Sequence, residues 1–157
     1  MIKGAIIDET GKYRYQLWRI WDETKPLVLF IMLNPSTADT EEDDPTIRRC
    51  MNYARSWDYG GIKVVNLFAY RATNPKELTK VIDPVGIENN KFITMAVQET
   101  GTVIAAWGTK GNYLSRQNHL MELELLYNLH YLELTKDGFP KHPLYLKADL
   151  KPIKWAI

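Results

Sequence analysis

Residues 26–37 read PLVLFIMLNPST, and the reading of this stretch decides the fold. Seven successive apolar residues, 27–33 (LVLFIML), leave no polar side for solvent, which marks a strand covered on both faces. The run stops at Asn34-Pro35, where proline removes a backbone donor and ends strand pairing. Strands of this kind belong to parallel sheets with helices on either side.

The flanking sequence supplies those parts. Downstream, residues 45–57 read as a helix: Asp43 or Asp44 caps it, Pro45 suits its first turn, and Ile47, Met51 and Ala54 recur at helical spacing. Gly60-Gly61 follows, then a second apolar strand at 63–68 (KVVNLF). Residues 87–99 read as a helix, 102–107 as a third strand, 115–126 as a further helix and 130–134 as a short fourth strand. Upstream, 3–8 and 13–21 form the arms of a hairpin around Glu9-Thr10-Gly11-Lys12. Strict alternation puts Tyr13, Tyr15, Leu17 and Arg19 on one side of its second arm, and Arg14, Gln16, Trp18 and Ile20 on the other. The expected fold is α/β: a three-layer α/β/α arrangement with a four-stranded, mainly parallel sheet plus an N-terminal β-hairpin, as a single domain over 1–157.

Bulk properties narrow the function classes. The chain has 157 residues, 45% hydrophobic and 25% charged, ordinary for a globular protein with its own core. Its one cysteine, Cys50, cannot form an intramolecular disulfide and has no base beside it in sequence, which argues against a thiol nucleophile. With no signal-like apolar run at the N-terminus and none of membrane-spanning length, the expected location is the cytoplasm, with no membrane partner. The net charge of +1 gives no support to a strong clamp on duplex DNA, though nucleic acid stays open beside small ligands. The patterns HExxH, GxxxxGK[ST] and GxSxG are absent, so zincin, P-loop and α/β-hydrolase chemistry lack their basic parts. No cofactor is implied.

In parallel sheets, ligands bind beyond the carboxyl ends of the strands, so those ends are where chemistry is sought. After the first strand come Asn34, Pro35, Ser36 and Thr37; Asn34 carries both a donor and an acceptor, and the loop's amides suit an anion. The competing reading is a turn that caps a helix. Within the second strand sits Asn66, an amide in an apolar run that needs partners from the protein or from a ligand. Phe68 and Tyr70 follow at two-residue spacing, offering a stacking face or simply more core. Arg71 suits a phosphate or one of the acidic residues at 39–44. After the third strand, Trp107 reads as a wall, with Lys110 and Arg116 as candidate phosphate partners; Arg48 and Arg49 on the first helix are further candidates. His142, pinned by Pro143, can stabilise an anion or carry a proton. The run 39–44 (DTEEDD) is either helix-capping loop or a cation site, and capping is the commoner case, so no metal ligand is assigned.

FIMLNPSTAD, DDPTIRRC, VVNLFAYRATNP, VIAAWG and KHPLYL resemble the signature of the DUF1643 family, over nearly the whole chain. The motif order is also similar, more distantly, to the uracil-DNA glycosylase superfamily. That resemblance implies a glycosylase-like fold in which Asn34 positions a water, Asn66 reads a base edge and His142 stabilises the departing base. Leu144 stands where that superfamily's His-Pro-Ser motif has serine, and Ser36 where many of its members have glycine.

The expected function is recognition of a nucleobase or nucleotide around Asn34, Asn66 and His142, with N-glycosidic hydrolysis as the favoured reaction. Asn34 and His142 are the catalytic candidates. Pro35, Ser36, Thr37, Arg49, Asn66, Phe68, Tyr70, Arg71 and Trp107 are the ligand-binding candidates. Two alternatives stay open: a non-catalytic module that sequesters or senses a small nucleotide, and a nucleotide- or base-modifying enzyme of another reaction type.

Overall fold

The computed structural model describes residues 1–122 and 128–155. In chain order they form β1 (Ile2–Ile7), β2 (Arg14–Ile20), β3 (Leu27–Met32), α1 (Pro45–Ser56), β4 (Gly61–Asn66), α2 (Asn89–Glu99), β5 (Thr102–Ala105), α3 (Arg116–Met121), β6 (Leu129–Tyr131) and β7 (Ile153–Lys154). Short 3-10 turns cover Pro75–Lys80, Thr109–Ser115 and Pro143–Tyr145. Of the helix expected over 115–126, residues 123–126 lie outside the described residues.

The α/β class stands, but the sheet is larger than expected and mixed. Seven strands run in the order β1-β2-β4-β3-β5-β6-β7. Pairing is parallel between β4 and β3, β3 and β5, and β5 and β6, and antiparallel at both margins. The expected four-stranded sheet therefore gives way to a seven-stranded one, for two reasons. The hairpin does not stand apart, because β2 pairs along β4 from Leu17↔Val64 to Ile20↔Gly61. At the opposite margin, the two residues of β7 pair with β6. Gly61 makes the first junction possible, since a Cβ there would sit 2.6 Å from the Arg19 carbonyl.

Strand β3 is covered on both faces, as its unbroken apolar run requires. Val28, Phe30 and Met32 pack beneath α1, together with Ile47, Cys50, Met51 and Ala54 of that helix. Leu29, Ile31 and Leu33 pack on the other side against Ile93 and Ala96 of α2 and Leu120 of α3. The α1 stripe recurs at intervals of three and four, which is the helical period. Asp44 caps this helix, its Oδ1 accepting from the Ile47 amide at 2.9 Å, and Pro45 occupies the first turn.

One irregularity matters for the site. The β1–β2 register skips a residue: Ile6 faces Gln16 and Ile7 faces Arg14, leaving Tyr15 as the extra residue of a bulge. Strict alternation consequently fails in β2. Arg14 bonds the Ala38 carbonyl on the α1 side, the side that also takes Leu17 and Arg19, while Gln16 bonds the Phe92 carbonyl on the α2 side. The expected grouping of Arg14 with Gln16 is thus corrected by the bulge. No helix among the described residues is long and apolar enough to cross a membrane.

Candidate functional site

A cleft of about 360 Å³ opens at the carboxyl ends of β3, β4 and β5, and Asn34, Asn66 and His142 all line it. They arrive from three separate parts of the chain. Asn34 follows β3 by two residues, Asn66 ends β4, and His142 precedes the Pro143–Tyr145 turn. In the parallel register Met32 lies beside Asn66, so the Asn34 loop passes directly beyond that residue.

The Asn34 loop is tied down by its own side chains. Asn34 Nδ2 donates to the carbonyls of Ala72 (2.8 Å) and Pro35 (3.0 Å), which uses both of its hydrogens. Its Oδ1 receives no hydrogen bond among the described residues, so Asn34 meets a ligand or water as an acceptor. Ser36 Oγ reaches Thr73 Oγ1 at 3.4 Å. Pro35 and Ser36 line the same cleft.

Asn66 is 1% exposed. Its Oδ1 accepts from Arg14 Nη2 at 3.4 Å, which fixes the orientation of the amide, and its Nδ2 is buried without a partner. Its backbone carbonyl accepts from Asn89 Nδ2 at 2.9 Å. An orphaned buried amide donor costs about 1–3 kcal/mol. The protein tolerates that cost at the floor of a cleft.

Arg14 lies under Asn66 and also lines the cleft. It is 2% exposed, donates through Nη1 to the Ala38 carbonyl at 3.1 Å, and leaves Nε unpartnered. Burial pulls its guanidinium down to about 10, against the opposing pull of Asp44. Asp44 is the only carboxylate that lines the cleft among the described residues, and both its oxygens are engaged, Oδ1 with the Ile47 amide and Oδ2 with that of Ala38 at 3.3 Å.

His142 is held in one tautomer when neutral. Its Nδ1 accepts from the Leu144 amide at 3.2 Å, so the ring proton sits on Nε2. Burial lowers its pKa below the ordinary value, with Asp44 opposing, so the neutral ring is favoured. The segment that carries it is clamped by one stripe of α1. Arg49 donates to the Pro143 carbonyl (3.3 Å), Tyr53 to that of Lys147 and the Trp57 indole to that of Leu150 (2.9 Å), at four-residue spacing. Arg49 therefore does not line the cleft; it holds the His142 segment, with its guanidinium 5.1 Å from the Tyr53 ring centroid. Leu144 adds an apolar wall.

Trp107 lines the cleft at 1% exposure, its indole N–H given to Gln117 Oε1 at 2.6 Å, and so forms a wall. Lys110 lies at the same cleft. Thr37 and Arg71 line a neighbouring, shallower pocket of about 330 Å³ with Lys12, separated from the main cleft by the shared residues Ser36, Ala72 and Thr73. Arg71 spends three donors on the carbonyls of Gly11, Ser36 and Thr37 and makes no ion pair among the described residues. Phe68 and Tyr70 line neither pocket. Phe68 is fully buried against Tyr113, and Tyr70 meets Tyr13 edge-on, because β4 has ended and the two-residue period no longer aims them at the strand ends. Arg116 is buried and donates to the Leu67 carbonyl at 2.7 Å.

The acidic run is absorbed by structure. Asp39 Oδ1 accepts from the amides of Glu41 and Glu42, Asp43 pairs with buried Arg19 at 2.7 Å, and Asp44 caps α1. Among the described residues no group of three or more His, Cys, Asp or Glu side chains converges to hold a metal. Cys50 is fully buried, and burial raises its thiol pKa strongly, which leaves it unreactive.

Arg14 and Asp44 are the charged cleft residues absent from the ligand-binding candidates. Asp44 falls in the run 39–44, which reads as helix-capping loop or cation site, and Arg14 reads as lying on the other side of β2, because a bulge leaves no mark in an alternation pattern. No curated protein and no solved structure matches the chain. Residues 14–144 match the family described as Protein of unknown function (DUF1643), a span that takes in Arg14, Asn34, Asp44, Asn66 and His142. On that match the chain belongs to the DUF1643 family.

Proposed function

We propose that the cleft recognises a nucleobase or nucleotide, and that the reaction its groups fit is hydrolysis of an N-glycosidic bond. The observation that carries the reading is the buried, unpartnered Asn66 Nδ2 in a cleft that also holds Asn34 and His142. A base presents a flat edge of ring nitrogens and carbonyl oxygens. The cleft offers a donor from Asn66, a donor from neutral His142 and an acceptor from Asn34, between apolar walls that include Trp107 and Leu144. Its volume falls within the range of about 300–1,000 Å³ usual for small-molecule sites. A phosphate on such a ligand has Lys110 at the main cleft, or Arg71 and Lys12 in the adjoining pocket.

In hydrolysis the C–N bond breaks with its electron pair going to the base, water adds hydroxyl to the sugar carbon, and the water's proton ends on the base or in solvent. Donors held against the base oxygens stabilise the departing anion, and an acceptor at Asn34 orients the water. Asn34 cannot itself remove a proton, and Asp44 gives both oxygens to backbone amides. That engagement of Asp44 favours, as the second reading, a module that binds a nucleotide without turning it over.

The test is calorimetric titration with free nucleosides, free nucleotides and single-stranded oligonucleotides containing uracil or hypoxanthine, each followed by chromatography for released base. Binding with release supports hydrolysis. Binding without release supports the sequestering module. If no base-containing ligand binds, the proposal is wrong.

A further inference from the structure

The floor of the cleft holds more positive charge than its capping and packing duties use. Arg14 is 2% exposed and makes no ion pair among the described residues, one of its donors is orphaned, and another is spent on Asn66 Oδ1. The charged groups felt by its guanidinium are Asp44, Arg71 and Arg19. Arg19 is matched by Asp43, Arg71 lies within the field of Asp39, and Asp44 is the carboxylate that opposes the desolvation of Arg14. Among the described residues that line the cleft, Arg14 and Lys110 set two positive charges against Asp44, and the two orphaned nitrogens at its floor, Arg14 Nε and Asn66 Nδ2, are both donors.

The contact between Arg14 and Asn66 also fixes what Asn66 can read. A free asparagine amide pairs with both a donor and an acceptor on a base edge. Here the Oδ1 is turned to Arg14, and the N–H side is the one left unpartnered for a ligand. A neutral imide edge, with N–H between two carbonyls, brings its own donor towards these donors. An edge that has lost that proton brings acceptors alone, together with a charge opposite to that of the guanidinium.

We propose that Arg14 makes the Asn66 end of the cleft selective for the deprotonated, anionic form of an acidic oxo-nucleobase. The inference rests on the base-binding reading above and names its ligand class. Arg14 acts as a positioning residue through Asn66 and as the buried counter-charge. Hydrogen bonds to a charged partner are about twice as strong as neutral ones. A gain of about tenfold in affinity, equivalent to about 1.4 kcal/mol, is the expected preference for the anion.

The experiment pairs ligands that differ in acidity and share one imide edge: uridine with 5-fluorouridine, and thymidine with its 5-trifluoromethyl counterpart. Affinities are measured by calorimetry on either side of the ionisation of the more acidic member. Taking the ratio within each pair cancels the protein's own titration, His142 included. In the wild type, the ratio is expected to rise about tenfold towards the acidic member as its proton is lost. In Arg14→Gln, and independently in Asn66→Asp, which places a carboxylate against Arg14, that rise is expected to vanish. Arg14→Lys keeps the charge and is expected to retain part of it. If Arg14→Gln fails to fold, the wild-type profile and Asn66→Asp decide the matter. A flat ratio with nucleosides still bound overturns this proposal and leaves base recognition standing. A complete absence of nucleoside binding overturns both.

Discussion

Replacing Asn66 by alanine separates a residue kept for a ligand from one kept for the fold. In the unliganded protein the side chain makes two contributions of opposite sign. Its orphaned Nδ2 costs about 1–3 kcal/mol, a penalty that alanine removes. Its Oδ1 accepts a long bond from Arg14, 3.4 Å, worth about 0.5–1 kcal/mol at that length. The space vacated adjoins the cleft, so water can enter and solvate the Arg14 nitrogen left behind. The net change is expected to be a stabilisation of about 0–2.5 kcal/mol, each kcal/mol being about 2–4 °C in Tm for a chain of this size. Affinity for the bound nucleoside is expected to fall by tenfold or more. Asn89 supplies the control. It is fully buried, and its Nδ2 serves two backbone acceptors, the carbonyls of Asn66 and Leu67. Asn89 has an orphan of its own, the buried Oδ1, but the relief of that penalty is set against two lost hydrogen bonds and a stranded carbonyl, so Asn89→Ala is expected to cost about 1–3 kcal/mol. Urea unfolding of both variants, beside calorimetry of the first, makes the comparison. Should Asn66→Ala lose as much stability as Asn89→Ala while keeping its ligand affinity, Asn66 is a structural residue and the reasoning fails.

Three further outcomes follow from the site. Burial holds the His142 pKa below its unfolded value, so the unfolded chain binds the proton more readily. Its contribution to stability is then present above about pH 6.5, the unfolded pKa, and lost as pH falls through the folded one; urea midpoints across that range should slope less in His142→Gln. Asp44→Asn keeps the acceptor that caps α1 while setting an amide donor against the Ala38 N–H and removing the charge that raises the His142 pKa, so the His142 titration by NMR should move lower still at a cost of about 1–3 kcal/mol in stability; a His142 titration that stays put in Asp44→Asn would contradict the assigned pairing. Gly111 lies against the Trp107 ring, where an added Cβ overlaps the indole, so Gly111→Ala should cost about 1–3 kcal/mol by overpacking and weaken ligand binding; unchanged tryptophan fluorescence and affinity would show that Trp107 is not a wall of the site.

The parts of the molecule legible in the sequence are those set by local periodicity. The apolar run 27–33 announces a strand covered twice, and β3 is covered by α1 on one face and α2 and α3 on the other. Pro45 and Asp44 announce the start of α1, and the helix begins there. Asn34 and Asn66 are polar residues at or just past strand ends and His142 is pinned by Pro143, and the three line one cleft. The rest depends on pairing between distant segments. Nothing local in 14–20 says that it lies beside 61–66, so the extension of the sheet by the hairpin was not visible. Two residues, Ile153 and Lys154, are too few to show a strand period. Arg49, one of several candidate phosphate partners, gives its guanidinium to the Pro143 carbonyl. A helical stripe at 49, 53 and 57 was present in the sequence; what it would grip, a run of carbonyls nearly a hundred residues away, was not.

The hairpin's irregularity ties these observations together. Without the extra residue at Tyr15, Arg14 would share a face with Gln16 and point to the α2 side; with it, Arg14 passes beneath Asn66 on the α1 side. A bulge interrupts the β1–β2 ladder, and a buried guanidinium with an orphaned donor adds a desolvation cost. Apolar side chains of similar volume at 14 and 66 would remove that desolvation cost and leave the core clusters as they are. The proposed anionic ligand accounts for a sequence that keeps both polar residues and bends a strand to bring them together at a cleft. On that proposal β2 delivers the charge, and β4 brings the amide beside it.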